Sequence, residues 1–464
     1  MTTPHLSPRG ARARMANAAR GAALVALAGM LTACHDLLNP PLPAGTEDPS
    51  TFNTEAGALG RYLNAIEAAH SGHVFYAVAS GKLAAELHLA ETPANGVVGD
   101  ALDERILPEI ATGSAPGDPS PSSYVTLQRV RGLAAEAIGA LAKYAPAKPA
   151  ALRGELYAMQ GFAEIELADL FCSGIPLSTL DFEGDFTYHA GSTTSEVYQH
   201  AIALFDTART FGADSARIVN LARVGTARAL LDLGQYAEAA QAAADVPDDF
   251  RYDYFVDWAP LNGVAVEVPI LDGVTVTNAE GGSGLDYGTS SDPRTLVHQR
   301  GTSQTTGESI LEPAAYVGVT PFTLASGVEA RLIEAEAALN ANDPSWLITL
   351  NALRTTCTDA ASCPDPAPPG LGGVAGLPPL GDPGTPNARV DLLFRERAFW
   401  LFLTGHRQGD MRRLLRQYRR PQNQVYPTGA YRGGLGAYGS DVTAAIPPAE
   451  RVNPLFTGCF NRNP

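Results

Sequence analysis

The residues predict a mainly α fold: helix hairpins joined by long loops, with one small β-hairpin. Two observations carry this. Apolar residues recur at steps of three and four through several long stretches, and a Gly-, Ser- and Thr-rich section near 250–325 changes character. The 464 residues are 45% hydrophobic and 18% charged, which suits a folded body with a sizeable core.

Tyr124, Leu127, Val130, Ala134, Ile138 and Leu141 form the first helical stripe. Leu152, Leu156, Met159, Ala163, Leu167 and Leu170 form the second, and Val197, Ala201, Leu204, Ala208 and Phe211 the third. Each places one apolar face on a helix, and that face must be buried against a neighbour. Thr193 and Glu196 make a capping box ahead of the third. A fourth helix near 217–232 ends at Gly234, and Tyr236 opens the Ala-rich stretch 237–244. This Gly-x-Tyr turn resembles the tetratricopeptide helix hairpin, without a strict repeat period. Val264, Val266 and Val268 alternate, and Asp272-Gly273 separates them from Val274 and Val276, a hairpin signal. Helices return at 327–341 and 345–355, the latter opened by Asp343 and Pro344. Residues 364–386 form a Pro/Gly-rich loop, followed by helices at about 387–404 and 408–418.

Residues 1–33 read as a lipoprotein signal peptide. Arg9, Arg12, Arg14 and Arg20 precede the apolar run Gly21–Ala33, which is too short to span a bilayer. Leu31-Thr32-Ala33-Cys34 matches a bacterial lipobox, so Cys34 is the expected lipidation site. Two or more acyl chains there give a stable anchor. Residues 34–50 are Pro-rich and polar and read as the tether, leaving 51–464 as the working domain: a helical part to about 250, the loop-rich insert 250–325, and a second helical part 326–464. Beyond the leader, 29 basic residues face 49 acids, and this charge repels nucleic acid. Cys172, Cys357, Cys363 and Cys459 suggest two disulfides in an oxidising compartment. Cys357 with Cys363 and Cys172 with Cys459 is the preferred pairing among three. No zinc motif and no other metal or cofactor signature is present, and neither are the GxSxG and HExxH motifs of hydrolases.

Glu396-Arg397, Leu401, Gly405, Arg407, Asp410-Met411 and Arg413, in this order, resemble a motif of the SusD/RagB family of nutrient-binding outer-membrane lipoproteins. Trp400 and Thr404 depart from it by replacing glutamates. Arg331 through Glu336, Asn351 with Arg354, Leu152 through Pro176, Glu196-Val-Tyr198, Asp292-Pro-Arg294 and Ile446 through Pro454 are similar to further family segments. The resemblance implies a SusD-like helical fold and a non-enzymatic role. It implies capture of an oligosaccharide, or a peptide, at the cell surface and delivery to a SusC-like TonB-dependent barrel. A helical-repeat adaptor holding other envelope proteins is the alternative, and a surface glycosidase or peptidase the lesser rival.

The acid–arginine cluster Glu396, Arg397, Arg407, Asp410 and Arg413 reads as helix packing rather than as a site. Sugar binding calls for flat aromatic rings beside Asp, Asn and Arg. Tyr252, Tyr254, Asp257, Trp258 and Asn262 offer that mixture, with Tyr287 in the same loop-rich section and Asp103 in the long loop 95–124. Trp258 and Tyr254 are the first expected ligand contacts.

Overall fold

The computed structural model describes residues 52–89, 119–180, 185–257, 274–278, 280–281, 284–304, 307–314, 319–355, 377–430 and 438–462. The chain forms two units, Met1–Gly57 and Ala58–Pro464. The leader, Cys34, the tether, Cys357 and Cys363 lie outside the described residues.

The helices are α1 Glu55–Leu83, α2 Pro119–Tyr144, α3 Ala151–Leu170, α4 Thr194–Phe211, α5 Ala216–Asp232, α6 Tyr236–Ala243, α7 Gly327–Asn340, α8 Ser345–Thr355, α9 Pro386–Trp400 and α10 Arg407–Arg416. From α2 to α8 each helix packs on the next in the chain, as a hairpin array does. The fold is mainly α, as the periodicity requires. Each expected stripe is buried: Leu127, Val130 and Ala134 on α2, Leu156, Met159 and Leu167 on α3, Val197, Ala201 and Ala208 on α4. The capping box forms as well, with Thr193 Oγ1 accepting from Glu196 N and Glu196 accepting from Thr193 N. Where α3, α4 and α5 meet, Phe205 is wedged between two glycines. A Cβ on Gly161 would come within 2.7 Å of its ring, and one on Gly225 within 2.3 Å.

Among the described residues the strands pair in twos. They are β1 Leu87–Leu89, β2 Ile175–Pro176, β3 Thr179–Leu180, β4 Phe186–Thr187, β5 Gly191–Ser192, β6 Arg251–Asp257, β7 Val274–Val276, β8 Val297–Thr302, β9 Ser309–Pro313 and β10 Val319–Ser326. The antiparallel pairs are β1–β7, β2–β5, β3–β4, β6–β10 and β8–β9. Val274 and Val276 do lie in a strand, but β7 pairs with β1, Leu87 opposite Val276. The proposed first arm, 264–268, lies outside the described residues.

Among the described residues the core has three parts. The largest joins α1 to α5 with the β6–β10 ladder. A second gathers Leu332, Trp346, Leu350, Phe394, Trp400 and Met411 from α7 to α10. The third is an alanine seam: Ala58 and Ala65 of α1 meet Ala134, Ala137 and Ala140 of α2. Cys172, at the end of α3, is joined to Cys459, with Cα atoms 5.8 Å apart. Around that bond Ser173 N donates to Asn461 O and Phe460 N to Ser173 O, so the C-terminal segment is tied to the end of α3. No helix among the described residues is long and apolar enough to cross a membrane.

Candidate functional site

The acid–arginine motif builds the scaffold. Arg397 grips Asp410 through two bonds of 3.0 and 2.8 Å, and Arg413 reaches Asp410, Glu336 and Asp232. Arg407 holds Glu280 at 2.6 and 2.7 Å. Arg294 bridges Asp292 and Glu396, and Arg354 also reaches Glu396 at 2.7 Å. These groups are nearly all buried. Burial opposes ionisation of Asp410, but Arg397 and Arg413 hold its carboxyl well below the usual range. Glu329 follows the same logic: burial is outweighed by Arg228 and His406, and the carboxyl falls to about 2. Each of these acids is held by an arginine inside the protein, and the cluster locks helices together. The departures fit this: Trp400 is buried in the second core cluster, and Thr404 donates to Leu401 O.

The structure corrects three expected ligand contacts. Tyr252, Tyr254 and Tyr287 are 0%, 4% and 1% exposed. Tyr252 donates to Glu155 at 2.7 Å, His70 stacks on Tyr254 at 4.2 Å, and Tyr287 donates to Glu280 while stacking on Phe399 and Phe402. Alternation along a strand explains the error. It turns Tyr252 and Tyr254 of β6 inward and leaves Phe255, the next residue along, 74% exposed. Asp257 is placed by its backbone opposite Val319 at the end of the ladder. Trp258, Asn262 and Asp103 lie outside the described residues. His70, half-buried on the Tyr254 ring, has its pKa pushed down to about 4 by burial, so it is neutral at physiological pH.

Surface clefts lined by described residues include two of note. One, of about 370 Å³, lies where the α7–α8 turn meets the start of α9. Asp382 and Arg389 in its wall bind each other at 2.6 and 2.8 Å. The other, of about 290 Å³, lies between the outer face of α2, the β3–β4 pair and Glu450. Phe186 of β4 lines it with a ring 54% exposed. Tyr188 meets that ring edge-on at 4.8 Å and is itself 40% exposed. On the inner side Tyr124 donates to Glu450 at 3.0 Å. Burial and then the Glu450 charge push the Tyr124 hydroxyl up, so it stays a donor. Sequence reasoning missed this pair. The period-two spacing Phe186-Thr-Tyr188 in a polar stretch was the available signal, since it puts both rings on one strand face. No group of three His, Cys, Asp or Glu among the described residues is placed to hold a metal.

No protein-family model and no curated protein matches the sequence. Solved structures do match. A SusD superfamily protein from Bacteroides thetaiotaomicron superposes with a TM-score of 0.58 at 13% identity, over 88% of this chain and 99% of that one. A SusD homolog from the same organism gives 0.55 at 12% identity, over 90% and 99%. A SusD-like carbohydrate binding protein from Bacteroides fragilis gives 0.53 at 14% identity, over 88% and 99%. A likeness that spans nearly all of each partner at such low identity is one of architecture, and the chain has the SusD-like fold.

Proposed function

We propose that the protein is a lipid-anchored receptor on the bacterial outer membrane that captures an oligosaccharide and delivers it to a TonB-dependent barrel. The supporting observation is the SusD-like fold over about nine-tenths of the chain. Among proteins of that fold, some carry the description carbohydrate binding. The lipobox at Cys34 supplies the anchor in this reading. Binding is non-covalent: the acids of the helix-packing cluster are held by arginines, and the exposed aromatic rings suit the apolar faces of sugars. A peptide is the second solute class.

Co-purification tests the pairing. The full-length protein, isolated from detergent-solubilised outer membrane, is expected to bring down an integral barrel in near-equal amount and to carry acyl chains on Cys34. Recovery without a barrel, in a preparation where other receptor–barrel pairs survive, contradicts the delivery role.

A further inference from the structure

We infer that the cleft between α2 and the β3–β4 pair binds an acidic saccharide, one carrying a uronate carboxylate. The inference rests on the receptor reading above and names the class of solute.

The first observation is charge. Arg129 lines the cleft and is exposed, and its side chain makes no ion pair or hydrogen bond among the described residues. Its neighbours are spoken for. Glu136 is held by Arg61 at 2.8 Å, and Arg131 by Glu164 at 2.8 Å. Glu450 accepts from Tyr124 and from Asn453. Among the described residues the cation lining this wall without an acid partner is therefore the Arg129 guanidinium, which binds a carboxylate bidentately.

The second is shape. Gly132 sits mid-helix on the same face, one turn from Arg129, and also lines the cleft. Glycine is the poorest helix former after proline. The buried glycines Gly161 and Gly225 have a reason within the fold, because a Cβ on either would strike Phe205. Gly132 has none: a Cβ there would meet nothing within 4 Å. The space it leaves open is the floor of the cleft, where an incoming molecule can lie close against the helix. Phe186 stands at the wall as a flat apolar platform for one face of a pyranose.

The third weighs against a main-chain ladder. The carbonyls of Pro176 and Ser178 are already occupied, by Gln128 at 3.0 Å and Arg131 at 3.2 Å. An extended peptide needs such groups to add to a strand edge. A sugar ring with a carboxylate needs only the ring, the guanidinium and the floor.

Calorimetric titration of the full-length protein in detergent tests this. The probes are trimers of galacturonate, of mannuronate and of a glucuronate-containing glycan, each beside its methyl ester. At least one free acid is expected to bind, and its ester at least ten-fold more weakly. Arg129→Met and Phe186→Ala are each expected to weaken binding at least ten-fold. Gly132→Leu, which fills the floor while favouring the helix, is expected to abolish it with a melting temperature no lower than wild type. Equal binding of the free acid by wild type and all three variants overturns the assignment. So does binding of neutral oligosaccharides alone, which leaves the receptor reading standing. An acidic peptide that binds in place of uronates, with the same sensitivity to the variants, replaces the solute class. Failure of every uronate, neutral glycan and peptide to bind overturns both readings.

Discussion

Glu86 is the residue least suited to its surroundings. It is fully buried at the start of β1, accepts from Leu403 N with one oxygen, and leaves the other without a partner. Burial, with Glu280 nearby, pushes its pKa up to about 8 against the bond from Leu403. The folded protein therefore holds a proton that the unfolded chain releases near pH 4.5, and stability falls as pH rises from about 4.5 to 8. Glu86→Gln is expected to remove that slope and to raise stability at pH 8 by on the order of a few kcal/mol. Thermal melts across this range check it, and parallel curves for both proteins would contradict it. Arg407 presents the opposite case. Its loss leaves Glu280 charged and buried, so Arg407→Leu is expected to cost about 3–5 kcal/mol in urea unfolding. The arginine motif was legible because its own residues lie together in one segment, Glu396 to Arg413, although partners such as Glu280, Asp232 and Arg294 come from distant parts of the chain. The ligand contacts were not. A run such as Tyr252–Phe255 gives composition, and only the pairing of β6 with β10 decides which rings face water.

At the scale of elements, helices with wide apolar stripes were read directly, and their caps fixed the boundaries. Thr193→Ala is expected to destabilise by about 1 kcal/mol, since it frees the Glu196 amide. Gly225→Ala is expected to cost about 1–3 kcal/mol, because the added methyl meets the Phe205 ring, and denaturant titration measures both. The helix that sequence reasoning did not identify, α1, buries Ala58, Ala65, Ala69, Gly72 and Ala79 beside His73 and Ser80. Small and polar residues make a tight seam but no apolar stripe, so periodicity gives little signal. The β7 strand was visible as Val274 and Val276. Its partner β1 was not, because nothing local marks a pairing so distant in the chain.

For the whole molecule, the order of short motifs carried more information than any one of them. Their spacing implied the SusD-like architecture that the solved structures share. The Cys172–Cys459 bond closes a span of 287 residues and ties the C-terminal segment to α3. Cys459→Ser is expected to lose about 2–4 kcal/mol of stability, seen as a lower urea midpoint that matches the reduced wild type. The solute site was the least legible feature. It depends on which surface groups remain without internal partners, and only the folded arrangement reveals that for Arg129 and Phe186. The receptor reading stands most directly on the fate of the bound molecule. Purified protein is incubated with each oligosaccharide that it binds by calorimetry, and the solute is then recovered and analysed by chromatography. The account predicts saturable binding and complete recovery of intact solute. Cleavage products that accumulate with time, or no binding to any glycan or peptide, would contradict it.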